Sequence, residues 1–411
     1  MILNLGMNLP LGAMKLCGMR ARCWWMMRGG VVALLLMVLF PARGWAQRVS
    51  VSLFDAASVQ SVRITPRTEG YVLLVDGNKY ALPSGEALRV ERVGNVLRFS
   101  SLQLKNLECE HAAVIHGDPE AMFELECVTP ATGAREYDGN LNLYVDFGCL
   151  MVSNLVDQEL YVAGVVLAEV GSRAKYELYR AQALLVRTYL LSHRDKHLEE
   201  GYNLCDEVHC QAYRGSAQKY PTIVKAAKST QGLVLLDKGK RFVTSVFHAN
   251  CGGETASAGD VWLTDNDYLR SVRDPYCRKS KGATWTTRVR LADWKRFLHS
   301  KGVPTQNISN AQYAYRSTRR EAVYSLPGGV GVPFRDLREY FNLKSAWFDV
   351  IPSGESLELR GRGYGHGIGL CQEGAMRMAE AGKKAEDIIA FYFHGVRIAK
   401  ASTAVPAGGK M

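Results

Sequence analysis

The sequence predicts an α+β protein, an exported chain with a small N-terminal β-domain followed by a mixed α/β domain. Three observations carry this reading. Residues 48 to about 150 run in short β-branched and apolar stretches cut by turn residues. From about residue 151, helix-length apolar segments appear, with residues recurring at three- and four-residue spacing. Ahead of both lies a short basic-then-apolar segment of the secretory type.

In the leader, Arg20, Arg22 and Arg28 precede the apolar run 31–40 (VVALLLMVLF), which is followed by Pro41 and the small-x-small site Gly44-Trp45-Ala46. This pattern predicts a signal peptide over 1–46 and a mature chain from Gln47. The run is too short to span a bilayer, so no stable transmembrane anchor is expected, and the predicted location is the periplasm or cell envelope. Removing the leader's five basic residues from a net charge of +11 leaves +6. The remaining basic residues are scattered, with no basic stripe interleaved with aromatics, which argues against nucleic acid as a partner. Export permits disulfides among the eight cysteines that follow the leader.

Residues 47–150 read as the β-rich domain. Stretches 49–53 (VSVSL) and 71–75 (YVLLV) are strand-like, and Asp76-Gly77-Asn78 and Pro83-Ser84-Gly85 are turns. Cys109 and Cys127 lie in similar strand contexts, so a bridge between them is one reading. In 151–400, the apolar segment 160–170 (LYVAGVVLAEV) predicts a helix. A second helix is predicted from about Lys175 to Lys196, with Leu178, Ala181, Leu185 and Thr188 as its core stripe. A Cys/His-rich loop follows, then strands, a Gly-rich strand, and helices over about 372–381 and 385–393. Residues 401–411 read as a flexible tail.

Three blocks carry the chemistry. The first is 161–170 (YVAGVVLAEV) with 181–189 (AQALLVRTY); the second is 247–255 (FHANCGGET); the third is 361–375 (GRGYGHGIGLCQEGA). Together they resemble the SpoIID/LytB family, the stage II sporulation protein D-like lytic transglycosylases, over about residues 150–400. The 151–400 region is thus expected to be a SpoIID-like mixed α/β catalytic domain. The sequence departs from the family pattern in three places. Lys175-Tyr176 stands where the family carries Trp-Pro, and Cys251 and Cys371 replace a small residue and a Ser.

Glu169 ends an apolar helix. Apolar surroundings disfavour the ionised carboxylate and raise its pKa, as a general acid near neutral pH requires. A structural hydrogen bond is the alternative on sequence alone, and the resemblance assigns Glu169 the catalytic role. Ordinary glycosidases use two carboxylates, and no second one stands in a comparable motif. The resemblance therefore implies a lytic transglycosylase on peptidoglycan glycan strands stripped of stem peptides. Glu169 would protonate the bridging oxygen between N-acetylmuramic acid and N-acetylglucosamine, then take the C6 hydroxyl proton as a 1,6-anhydro ring closes. It further implies that Gln182 and Arg187 contact glycan or position the acid, with a surface helix residue the alternative for Arg187, and it implies a cell-wall amidase as partner. Tyr189 and Tyr213 either stack on sugar faces or belong to the core, His366 either positions substrate or the acid or is a satisfied structural histidine, and Gln372 is a further candidate for substrate contact. A non-catalytic, glycan-binding amidase enhancer of the LytB type is the competing function.

Cys205, His209 and Cys210 offer two thiols and an imidazole within six residues, a ligand set suited to structural zinc. The fourth position would fall to water, chloride or another side chain, with Cys251, Cys277 and His248 as candidates. A Cys205–Cys210 disulfide, or pairing of Cys210 with Cys251, is the alternative. Gly361, Gly363, Gly365, Gly367 and Gly369 recur at every second position. Such spacing fits neither a dinucleotide nor a P-loop fingerprint. On a strand it would bare one face for a glycan and place Tyr364, His366 and Ile368 on the other.

Overall fold

The computed structural model describes residues 47–105, 107–262 and 266–405. The expected signal peptide over 1–46 and the end of the expected tail lie outside them. The chain is α+β. Its described residues divide into two compact units, the first made of those up to Gly171 plus His193–Val224, the second of Ser172–Ser192 plus those from Lys225 onward. The sequence reading placed a single boundary after residue 150. The contacts instead group the first long helix and the Cys/His loop with the β-rich part, because both pack on its sheets.

Two sheets build the first unit. One has seven strands in the order Leu204–Cys205, Arg48–Ser52, Cys149–Asp157, Asn140–Asp146, His111–Ile115, Tyr71–Val75, Asn78–Leu82. The other has six, in the order Arg135–Asp138, Met122–Thr129, Ser61–Pro66, Leu88–Val93, Val96–Ser100, Leu107–Cys109. Alternating burial along Tyr71–Val75 and Met122–Thr129 follows from the two-residue period of a strand with one face in the core. The Asp76-Gly77 turn has φ of 48° and 80°, the left-handed pair that a two-residue hairpin demands. Cys109 and Cys127 sit on strands separated by three others. At about 4.8 Å per strand their backbones are roughly 19 Å apart, far outside disulfide reach, so the bridge considered above does not form.

Helix α1 (Gln158–Val170) leaves the sheet directly from strand Cys149–Asp157. Asp157 caps it, its carboxylate accepting from the N–H groups of Glu159 and Leu160, which satisfies two of the helix's unpaired donors. Gly171, at φ 76°, ends it. Gly164 lets α1 approach the segment 213–215 closely: a Cβ there would lie 2.5 Å from the Gly215 carbonyl oxygen and 2.6 Å from the Tyr213 ring.

In the second unit, α2 (Tyr176–Ser192) buries Leu178, Ala181, Leu185 and Thr188, the expected stripe. It packs on strand Leu233–Leu236 and on helices Gln372–Glu380 and Ala385–Tyr392. A three-stranded sheet (Thr284–Arg290, Ser356–Arg362, Phe348–Ser353) shares an aromatic core with Trp294, Phe297, Tyr324 and Phe334. No helix among the described residues is long and apolar enough to cross a membrane.

Candidate functional site

The Cys/His loop is fixed to a sheet edge. Strand Leu204–Cys205 pairs in parallel with Arg48–Ser52, setting Cys205 opposite Ser52. Asp206 continues the anchoring: its carboxylate accepts from the N–H groups of Phe54 (3.0 Å) and Asp55 (3.2 Å). Burial pushes the Asp206 pKa up to about 6, against those two donors.

From this edge the loop brings Cys205, His209 and Cys210 together with a residue the sequence reading missed, His197. Their ligand atoms all lie within 4.8 Å of one another. Cys210 Sγ is 3.4 Å from His197 Nε2, and His209 Nδ1 is 3.8 Å from Cys205 Sγ. His197 Nδ1 lies 2.9 Å from Glu200 Oε2. A carboxylate only accepts, so Nδ1 carries the proton and Nε2 turns its lone pair toward the cluster. A carboxylate behind an imidazole is the usual support of a metal-ligating histidine. Tyr202 donates to the same Glu200 oxygen at 2.5 Å. Two imidazoles and two thiols in this compass suit tetrahedral Zn²⁺. The residue that joins the three is thus His197, not Cys251, Cys277 or His248. All eight cysteines of the described residues are unbridged. The signal for His197 was a histidine eight residues before Cys205 with Glu200 three residues on.

Beyond the cluster the loop returns to α1. Tyr213 N–H donates to the Asp206 carbonyl, and Arg214 donates to the Asp206 carbonyl (2.8 Å) and to both oxygens of Glu207. This sets the Ala212 N–H and the Arg214 guanidinium beside Glu169, at the last turn of α1. Burial raises the Glu169 pKa, while the Ala212 N–H and the Arg214 charge pull it back. Desolvation thus favours the protonated carboxyl, while one donor and one cation support its anion.

Other expected site residues are placed differently. Tyr213 is fully buried, its ring against Tyr161 and Tyr137 and its hydroxyl on Asn154 at 3.1 Å, so it offers no face to a sugar. In the second unit, Arg187 is fully buried, donating to Thr230 and to the carbonyls of Ala227 and Leu233. Gln182 is also fully buried. Gln182, Arg187 and Tyr213 are thus all buried, which for Tyr213 is the core alternative of the sequence reading. Tyr189 is half-buried, and Gln372 is partly exposed in the first turn of its helix.

The Gly-rich segment is not a strand. Regular pairing ends at Arg362, and Gly363, Gly365, Gly367 and Gly369 all have φ between 72° and 107°. Left-handed residues at every second position coil the chain and prevent an extended ladder. The glycines also admit close neighbours: a Cβ on Gly363 would lie 2.6 Å from the Asn250 carbonyl oxygen, and one on Gly365 2.8 Å from His248 Cβ. His366 accepts from Ile368 N–H at Nδ1 and donates from Nε2 to the Phe247 carbonyl. Burial lowers its pKa to about 4. Both ring nitrogens serve the backbone, so His366 is neutral and locks this coil.

A family model described as SpoIID, stage II sporulation protein, matches residues 148–236, the segment that carries α1, α2 and the Cys/His loop. Stage II sporulation protein D of Bacillus subtilis (strain 168) is 30% identical over 259 residues, covering 59% of this chain and 74% of that protein. The chain belongs to the SpoIID family. Stage II sporulation protein D of Bacillus amyloliquefaciens is 29% identical over 260 residues, 60% of this chain and 75% of that one. An amidase enhancer of Bacillus subtilis is 25% identical over 287 residues, 57% of this chain and 40% of its own length. SpoIID membership and this last likeness support a cell-wall-related role.

Proposed function

We propose that this protein is an exported peptidoglycan lytic transglycosylase, acting in the periplasm or cell envelope, with Glu169 as general acid and then general base. The observation that carries the reading is the pairing of burial with two anion-stabilising groups at one carboxyl: the Glu169 pKa is raised, yet Ala212 N–H and Arg214 stand ready for its conjugate base. A residue that must give and then recover a proton needs support for both its neutral and its charged form. Glu169 donates its proton to the glycosidic oxygen between N-acetylmuramic acid and N-acetylglucosamine, and the bond from muramic C1 to that oxygen breaks. The muramic acetamido group stabilises the positive centre at C1. The Glu169 carboxylate then takes the proton of the C6 hydroxyl as O6 bonds to C1. The enzyme returns to its starting protonation state and no water is consumed.

His197, Cys205, His209 and Cys210 would hold Zn²⁺ in this reading. With four protein ligands the ion would supply a structural crosslink. What these residues do for the site is hold the turn from which Ala212 and Arg214 reach Glu169. The likeness to an amidase enhancer favours a second reading, a glycan-binding protein that stimulates a cell-wall amidase without cutting. The test is incubation with purified glycan strands lacking stem peptides, beside Glu169→Gln, with products read by mass spectrometry. Ends in 1,6-anhydro-muramic acid that vanish with the variant support the first reading. Intact strands that remain bound to the protein support the second.

A further inference from the structure

A second cluster of soft ligands lies in the second unit, in residues the reading above does not use. Cys251, Asp274, Cys277 and Cys371 are each fully buried, and their ligand atoms lie within 4.8 Å of one another. They come from three separate places. Cys251 follows strand Phe247–His248, Asp274 and Cys277 flank a tight turn, and Cys371 closes the Gly-rich coil and caps helix Gln372–Glu380. Cys251 Sγ is 3.3 Å from Cys277 Sγ and 3.2 Å from Asp274 Oδ2.

We propose that these four side chains form a second, structural Zn²⁺ site, with three sulfurs and one carboxylate oxygen as ligands.

Four features argue for it. First, the donor set is right for zinc. Three thiolates select a soft or borderline cation, and Zn²⁺ accepts a carboxylate as its fourth ligand at about 2.0–2.2 Å. With zinc–sulfur bonds of about 2.3 Å, a tetrahedron needs sulfur–sulfur edges of about 3.8 Å. The observed 3.3 Å between Cys251 and Cys277 needs only about half an ångström of opening to match. It is far from the roughly 2.05 Å of a disulfide.

Second, the outer contacts of the ligands are already made. Asp274 Oδ1 accepts from Tyr276 N–H at 2.8 Å, and Oδ2 accepts from the Tyr392 hydroxyl at 2.9 Å. Cys371 Sγ accepts from the N–H groups of Cys251 (3.2 Å) and Gly374 (3.4 Å). Partners of this kind orient the ligands and support the charged form of each. Gly374 is needed for the fit, since a Cβ there would collide with Asp274 Oδ2 and with the Tyr392 hydroxyl.

Third, a fixed cation stands where an anionic zinc centre would need one. Zn²⁺ with three thiolates and one carboxylate carries a net negative charge, which is expensive to bury alone. Arg320 supplies one positive charge at the edge, donating to the carbonyls of Cys251 (2.7 Å) and Glu254 (2.6 Å) and interacting electrostatically with all three thiols.

Fourth, the arithmetic of pairing leaves a remainder. A disulfide between Cys251 and Cys277 would strand Cys371 as a buried thiol beside Asp274. Cys251 and Cys371 are also two of the positions where this sequence departs from the family's pattern, and the fold brings both to one point. The consequence is mechanical: a metal here clasps the exit of the Gly-rich coil to the 251–254 and 274–277 loops.

The experiment is metal analysis of the full chain, purified with zinc and without chelator. Cys205→Ser/Cys210→Ser, which removes the donors of the first cluster, is expected to keep one zinc per chain. Cys277→Ser/Cys371→Ser is expected to hold one zinc fewer than the parent. The ¹¹³Cd-substituted parent chain gives a reading that does not depend on any variant folding. A resonance in the range of three-sulfur, one-oxygen coordination is expected. A spectrum with only a two-nitrogen, two-sulfur resonance, or none, overturns the proposal. So does a Cys251–Cys277 cross-linked peptide recovered from the denatured, unreduced chain, where the proposal expects all three thiols to alkylate.

Discussion

Replacing Gly164 with Ala sets two calculable effects against each other. Alanine in a helix interior is favoured over glycine by about 1 kcal/mol, so a loosely packed α1 would gain stability. The close approach predicts the opposite. The new Cβ would stand 2.5 Å from the Gly215 carbonyl oxygen and 2.6 Å from the Tyr213 ring, where ordinary contacts are about 3.5–4.0 Å. Neither neighbour can retreat. Tyr213 is wedged between Tyr137 and Tyr161 with its hydroxyl on Asn154, and Gly215, at φ 118°, already lies against the Glu136 carbonyl. Helix α1 must move outward by about 1 Å, and overpacking of this kind costs about 1–3 kcal/mol. The net expectation is a loss of about 1–2 kcal/mol in urea unfolding. Because Glu169 and Ala212 ride on the two surfaces being pushed apart, turnover should fall by about a hundredfold, the usual penalty for a 1 Å misplacement. Ala168→Gly, at an exposed position of the same helix, should lose about 1 kcal/mol by propensity alone and keep most of the activity. A Gly164→Ala protein as stable and as active as the parent would refute the argument that this packing positions the acid.

Glu200→Gln keeps the shape behind His197 but weakens its support, and should lower zinc affinity of the first cluster by about 10–100-fold, read by competition with a chromogenic chelator. Stripping that metal should make residues 205–214 newly sensitive to limited proteolysis and reduce glycan cleavage, with zinc restoring both. Tyr213→Phe removes one buried hydrogen bond and should cost about 1 kcal/mol in stability with KM for glycan unchanged; a large KM rise would return Tyr213 to substrate contact. Asp138, raised to about 6 by burial, binds its proton more tightly folded than unfolded. Its contribution to stability is therefore full below about pH 4 and is lost as pH rises through 6, and Asp138→Asn should flatten that part of the denaturation profile.

The local signals in the sequence were legible. Helix α1 follows from its helix-length apolar run, and the stripe of α2 from its three- and four-residue spacing. Cys205, His209 and Cys210 stand out because soft ligands within six residues are rare. What escaped depends on long-range pairing. His197 reaches the cluster only because Leu204–Cys205 joins the edge of Arg48–Ser52, and no periodicity near residue 197 encodes that. Cys109 and Cys127 have near-identical neighbours, yet strand order keeps them apart. The alternating glycines misled for a different reason: a period of two is shared by a strand and by a coil with every second residue left-handed, and only φ tells them apart. The burial of Arg187 was not legible because a buried guanidinium needs carbonyl partners, here Ala227 and Leu233, that lie some forty residues away.

The central claim is that Glu169 serves as both acid and base while a sugar hydroxyl, not water, closes the ring. The most direct measurement is cleavage of peptide-free glycan strands in water enriched in heavy oxygen, with the mass of each new muramic end determined. The account predicts anhydro ends that carry no heavy oxygen, formed by the parent chain and absent with Glu169→Gln. Reducing ends that carry the label would contradict it and would call for a second carboxylate to activate water.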